Sequence, residues 1–167
     1  MRAHAKWLDG IGACSEAVEF ADTHASLVKA WEACTRSDWM LWLLRNVKHD
    51  DPKTYRLFVC WCVRNTPLVD GRTVWDLLTD DRSKNAVIVA EKHANGEATD
   101  EELAAAWDAA WAAVRDAAWA AAWAAARDAA RDAARAAAWA AQAAKIREMF
   151  PWSVVELSIK NFKKGAK

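Results

Sequence analysis

One segment constrains the fold more than any other: residues Thr99 to Phe150 contain neither glycine nor proline. From Leu103 the chain repeats units of two alanines, then Trp or Arg, then Ala or Asp. Alanine is the best helix former, so the segment is predicted to be helical throughout. An unbroken helix would be about 75 Å long. It would therefore either project from a small domain or fold back near Arg115, as a helical hairpin.

The tryptophans and the charges of this array fall on different faces of a helix. A helix turns by about 100° per residue, so a position marked every four residues moves by about 40° per unit around the axis. One arc carries tryptophan in the first half of the array and almost only alanine in the second. The opposite arc carries aspartates placed three positions before arginines, which is the spacing of a stabilising ion pair. The arginines of this arc are Arg127, Arg131 and Arg135.

Asp108 and Arg115 are exceptions, because both lie within the tryptophan arc. Trp111 precedes Arg115 by one turn and Trp119 follows it by one turn, which is the spacing for a guanidinium held between two indole rings. A planar anionic or heteroaromatic ligand would stack at such a site. The alternative is structural: Arg115 is solvated along its neighbours, or it pairs with Asp108 at the edge of the core.

Capping signals divide the first half of the chain into short helices. The predicted starts are Ser15, Ser26, Ser37 or Asp38, Asp51 before Pro52, Thr73, Asp80 or Asp81, and a capping box at Thr99-Asp100-Glu101-Glu102; Gly96 is a predicted stop. The apolar block Trp39 to Leu44 is predicted to be the centre of the core. We therefore expect an all-α fold of roughly six to eight helices, in which short N-terminal helices pack against the long Ala/Trp-rich helix or hairpin.

Length and composition predict one domain overall. The 167 residues are 54% hydrophobic, which is enough to bury a core. Three parts are expected: a multi-helix part at 1–98, the helical array at 99–150, and a short helix with a basic tail at 151–167. Lys plus Arg and Asp plus Glu number 23 each, so strong nucleic-acid binding is not expected. No stretch is long enough to cross a membrane, and none resembles a secretory signal.

Cysteine usage indicates a reducing cytoplasm. Cys14, Cys34, Cys60 and Cys62 are predicted to be buried free thiols. A zinc site formed by Cys14, His24 and Cys34 is conceivable, although the sequence lacks the paired spacing of zinc motifs. No metal and no cofactor are therefore predicted.

Enzyme motifs are not apparent in the sequence. The four histidines are scattered, and the five glycines form no phosphate-binding loop. The carboxylate pairs Asp50-Asp51 and Asp80-Asp81 precede predicted helices, where capping explains them better than metal binding. A non-enzymatic protein is therefore expected.

The segment from Ala30 to Leu44, with Trp31-Glu32-Ala33-Cys34 and Ser37-Asp38-Trp39 within it, resembles one that recurs in uncharacterised bacterial and phage proteins. The second half agrees with this resemblance, from Asp81-Arg82-Ser83 to Thr99-Asp100-Glu101-Glu102-Leu103 and the alanine array. Some of the similar proteins are labelled immunity proteins. The resemblance implies a non-enzymatic protein that binds and neutralises something, and it transfers no site residue.

Two binding hypotheses follow, and both require exposed indoles. In the first, a phage or mobile-element factor of the immunity or anti-defence type docks on a protein partner through the tryptophan arc or through the Arg127, Arg131 and Arg135 stripe. In the second, Trp111, Arg115 and Trp119 sequester a small nucleotide-like ligand, with Asp108 orienting the guanidinium. Because a projecting tryptophan helix exposes much apolar surface, a homodimer through the long helix is also expected.

Overall fold

The computed structural model describes residues 1–68, 70–118 and 129–165, and it describes no side chain from position 113 to position 134. This part of the chain contains ten α-helices and no strand, apart from an isolated bridge between Pro67 and Thr73. The helices are α1 Ala3–Gly10, α2 Ser15–Thr23, α3 Leu27–Ala33, α4 Ser37–Asn46, α5 Pro52–Asn65, α6 Val74–Leu77, α7 Asp81–Ala94, α8 Asp100–Ala118, α9 Ala129–Met149 and α10 Trp152–Gly165. The all-α prediction is confirmed.

Most of the predicted helix starts are confirmed by side-chain caps. Ser26 Oγ accepts a hydrogen bond from the Lys29 amide at 3.4 Å, and Asp51 Oδ1 accepts one from the Thr54 amide at 2.9 Å. Pro52 follows Asp51 as the first helical residue, where its missing N–H costs nothing. The other confirmed caps are Thr73 on α6, Asp80 on α7 and Thr99 on α8.

Two of the predicted caps are wrong. Ser37 is the first residue of α4 and is only 2% exposed, and its hydroxyl donates to Gln142 Oε1 of α9 at 2.8 Å. Burial against another helix gives this hydroxyl a side-chain partner in place of the backbone amide. Ser15 lies inside α2, after Cys14 at the N-cap, and no side chain caps that helix.

The chain divides into two compact units, and the first comprises Met1–Asp50 with Trp139–Lys167. Its most deeply buried large side chains come from α4, α9 and α10 and from the turn after α9. They are Met40, Leu44, Ile146, Phe150 and Val155. The block from Trp39 to Leu44 thus supplies the core as predicted, but only through one face, because Trp39, Leu41 and Trp42 are half-buried.

The second unit comprises Asp51–Ala138, and its centre is the pair of helices α7 and α8. Buried alanines on both helices let the two backbones approach closely. These alanines are Ala86, Ala90, Ala94 and Ala106. Gly96 turns the chain between them at φ 77°, and Glu97 donates its amide to the Lys92 carbonyl at 2.8 Å. A left-handed residue after a helix is the usual glycine stop, as predicted.

These units do not coincide with the expected parts 1–98, 99–150 and 151–167. The packing of α7 on α8 crosses the first expected boundary, and the end of α9 belongs with the N-terminal helices. Helix is confirmed in both described parts of the array, α8 and α9. Whether the array is one helix or a hairpin depends on residues 119–128, which lie outside the described residues. None of the helices in the described ranges is both long enough and apolar enough to cross a membrane.

Candidate binding surface

Two neighbouring indoles are exposed on α8. Trp107 is 52% exposed and Trp111 is 61% exposed, and no other tryptophan appears among the exposed large hydrophobic residues of the described chain. They are four positions apart, so both project from the same face of the helix, one turn from each other. This pair, with the carboxylates beside it, is called the α8 surface below.

Carboxylates flank the two indoles. Asp100 lies about 20° around the helix from each tryptophan, while Asp108 lies about 60° from Trp111. The Asp100 side chain is 90% exposed, and Glu101 and Asp108 are also exposed. Glu101 lies about 20° from Asp108, about 80° from Trp111 and about 120° from Trp107. The α8 surface therefore combines Trp107 and Trp111 with Asp100, which lies between them around the helix, and with Asp108 and Glu101 on one side.

A capping box holds the start of α8 in place. The Glu102 amide donates to Thr99 Oγ1 at 3.2 Å, and the Thr99 amide donates to Glu102 Oε2 at 2.8 Å. These reciprocal bonds satisfy two amides that would otherwise lack helical partners. Because the first turn is anchored in this way, the carboxylates and the indoles that follow are presented on a preorganised helix.

A side-chain relay connects α5, α7 and the first residue of α8. Arg56 Nη1 lies 2.8 Å from His93 Nδ1, and His93 Nε2 lies 2.6 Å from Asp100 Oδ1. A guanidinium only donates, so Nδ1 must accept and the ring proton must be on Nε2, which donates to Asp100. The relay positions Asp100. No sequence pattern indicated this role for His93, although its place three residues before Gly96 brings it next to the start of α8.

The predicted site residues are only partly described. Trp111, Asp108 and Arg135 are exposed. Arg115 lies in α8 and Arg131 in α9, but their side chains fall outside the description. Trp119 and Arg127 lie among the residues that are not described. The proposed stacking of Arg115 between Trp111 and Trp119 thus stays a prediction.

A guanidinium between two indoles does occur in the first unit, at Arg36. Its central carbon lies 4.5 Å from the ring centroid of Trp39 and 4.1 Å from that of Trp139. Both ends of the same guanidinium donate to Asp38, at 2.9 and 2.7 Å. The hydrogen bonds from Arg36 hold the pKa of Asp38 below its usual value.

This Arg36 cluster connects α4 to α9. Beside it, Ser37 donates to Gln142, and Arg147 Nη1 donates to the Cys34 carbonyl at 2.6 Å. An arrangement of the kind predicted at Arg115 is therefore present at Arg36, where helical spacing did not indicate it. Trp139 comes from the array, but its partner is more than one hundred positions away in the chain, and no helical spacing reveals such a pair.

A second Arg–Trp–carboxylate cluster lies in the second unit. The Arg64 guanidinium lies 3.9 Å from the Trp75 ring centroid and donates twice to Glu91, at 2.8 Å in each bond. Lys84 Nζ lies 5.9 Å from the same ring. The cluster connects α5, α6 and α7, so here too an indole and a carboxylate jointly hold one arginine.

Thiols and histidines form no metal centre in the described part of the chain, where no three His, Cys, Asp or Glu side chains come together suitably. Cys34 and Cys60 are buried as predicted, and burial raises the pKa of both thiols. Cys14 is exposed, contrary to prediction, because it occupies the start of α2 and not its packed face. His24 Nδ1 lies 2.9 Å from the Phe20 carbonyl of its own helix.

Similarity to known proteins adds no residue to the α8 surface. No protein-family model matches the chain, and no curated protein or solved structure matches it either. The resemblance to immunity proteins therefore stays a prediction, and the α8 surface is assigned from its own exposure and charge.

Proposed function

We propose that this chain is a non-enzymatic binding protein that docks on a protein partner through the α8 surface. The observation that carries the proposal is the exposure of Trp107 and Trp111 on a capped helix. Tryptophan is enriched among the residues that dominate binding energy at protein interfaces. A rigid helix presents both rings with little ordering cost on binding.

In its fuller form, the proposal is that the protein is an immunity or anti-defence factor of a phage or other mobile element that neutralises its partner. The resemblance of the segments around Trp39 and Thr99 supports this form. This form of the proposal takes the protein to be cytoplasmic, because a reducing compartment would keep the four free thiols reduced.

The second candidate function is sequestration of a nucleotide-like ligand by Trp111, Arg115 and Trp119. The described charges favour the protein partner, because Asp108 lies on the same face as Trp111 and would repel a phosphate group. A nucleotide site would need the Arg115 guanidinium to outweigh this carboxylate.

The test of the protein-binding function is affinity capture from bacterial lysate followed by titration of the purified captured protein. Three forms are compared: the native chain, Trp107→Ala with Trp111→Ala, and Leu157→Ala. Leu157 is a matched control because it is 59% exposed on α10, outside the α8 surface. We expect the double tryptophan variant to lose at least tenfold in affinity, with the control unchanged. A captured protein that binds all three forms equally would contradict the proposal.

Thermal unfolding with a panel of nucleotides tests the second candidate. A ligand at one hundred times its dissociation constant should stabilise the fold by about 2.7 kcal/mol. We expect no shift with any nucleotide, and a shift that disappears in Arg115→Ala would establish the sequestration site instead.

A further inference from the structure

We infer that the partner segment recognised by the α8 surface is rich in arginine, with apolar side chains between the cations. This inference rests on the proposed function and specifies the chemistry of its partner. Its starting point is charge: every charged residue from position 100 to position 112 is acidic. They are Asp100, Glu101, Glu102 and Asp108.

These carboxylates have no cation one helical turn away. No Lys or Arg lies three or four positions from any of them, so ion pairs at those spacings cannot form. Arg115 is the one cation of α8, and it is seven positions from Asp108. Glu102 is used in the capping box, and Asp100 receives its bond from His93. Among the side chains that the structure describes, none forms an ion pair with Glu101 or Asp108. The exposed carboxylates are therefore available to an external cation.

Two clusters within this chain show which side chain binds to an indole that has a carboxylate beside it. In the Arg36 cluster the guanidinium lies between Trp39 and Trp139 and donates twice to Asp38. In the cluster described for the second unit, Arg64 lies over Trp75 and donates twice to Glu91. Both clusters have the composition of the α8 surface together with an arginine, which the described part of that surface lacks.

Arginine meets this requirement better than lysine does. Its planar guanidinium stacks on an indole face while its N–H groups pair with a carboxylate in two parallel hydrogen bonds. An ammonium makes one contact at a time. The indole pair also needs apolar contact, because about half of each ring would otherwise stay in water. Arginines alternating with leucines in a partner segment would satisfy both the carboxylates and the rings.

A second copy of the α8 surface would be a poor occupant. An isologous interface centred on Trp107 and Trp111 would bring each Asp108 near acidic residues of the other copy. Like charges at such short range are destabilising. Charge complementarity therefore favours a basic partner over self-docking at these two turns.

The experiment uses the full chain and two synthetic helical peptides of equal length with the same leucine positions. One peptide carries arginine at every charged position and the other carries glutamate. Binding is measured by calorimetry and by tryptophan fluorescence. We expect the arginine peptide to bind at least tenfold more tightly, and its affinity to fall by about tenfold between 50 and 500 mM NaCl as the charges are screened.

Charge reversal identifies the residues responsible. Glu101→Lys with Asp108→Lys should lower the affinity for the arginine peptide at least tenfold. Asp9→Lys with Glu19→Lys makes the same change in net charge at exposed residues of α1 and α2, and it should have little effect. An equal loss of affinity for the arginine peptide in both double variants would overturn the inference. Equal binding of both peptides to the native chain would also overturn it.

The outcomes separate this inference from the proposed function. If the captured partner depends on Trp107 and Trp111 but the two peptides bind alike, the α8 surface is a docking site and the inference about arginine is wrong. If the captured partner binds the double tryptophan variant as tightly as the native chain, the proposed function itself is wrong. Folding of each variant is checked by its helical circular dichroism.

Discussion

At the scale of single residues, the backbone of Lys48 carries an unusual conformation. Lys48 follows α4 with φ of 53°, in the left-handed region that side chains disfavour. Lys48→Gly should raise the free energy of unfolding by about 1 kcal/mol, because glycine adopts this conformation without a steric penalty. Urea denaturation measures the change. Arg45→Gly, inside the last turn of α4, should instead lower stability by about 1 kcal/mol, and a gain at both positions would contradict the explanation.

The Arg36 cluster predicts a dependence on pH. Hydrogen bonds from Arg36 lower the pKa of Asp38 below 3.8, its ordinary value, so the folded state binds this proton less readily than the unfolded chain does. The carboxylate therefore stabilises the fold above pH 3.8 and loses this effect as the pH falls below that value. Because the Asp38 side chain is 45% exposed, the effect should be about 1 kcal/mol or less.

Urea denaturation of Asp38→Asn and the native chain at pH 6 and pH 3 tests this. The stability difference between the two proteins should be larger at pH 6 than at pH 3. A difference that stays constant with pH would mean that the interaction does not depend on the charge of Asp38.

At the scale of elements, α8 and α9 are predicted to respond differently to truncation. Trp107→Ala removes a half-exposed ring, so it should cost about 1 kcal/mol or less. Ile146→Ala in α9 removes a side chain with 0% exposure, and it should cost about 2 to 5 kcal/mol because it leaves a cavity. Equilibrium unfolding compares the two variants. A large loss for Trp107→Ala would indicate that the ring is part of the core rather than a binding surface.

At the scale of the whole molecule, the homodimer expected from the sequence stays a prediction. Sedimentation velocity at micromolar concentration should show twice the mass of the chain. The salt dependence locates the interface: if the acidic turns of α8 met each other, added NaCl would strengthen the dimer by screening repulsion. A dimer that persists in Trp107→Ala with Trp111→Ala would have its contact on another part of the long helix. A monomer in every condition would reject the prediction.

Features that depend only on neighbouring residues could be predicted before the structure. The all-α class follows from propensity and period, and Asp51, Thr73 and Thr99 cap their helices because a cap needs only a residue three positions away. The position of Asp108 near Trp111 also follows from helical spacing. These features involve short separations along the chain, so their geometry follows from the helix alone.

Which helix faces are covered, and which residues complete a cluster, depends on contacts between segments that are distant in the chain. Arg147 and Cys34 are 113 positions apart, and nothing local relates them. The same holds for Arg36 with Trp139, and for the burial that turned Ser37 from a cap into a partner of Gln142. The exposure of Trp107 is likewise a tertiary property, because an indole on a helix is equally compatible with a core and with a binding surface until packing leaves one face uncovered.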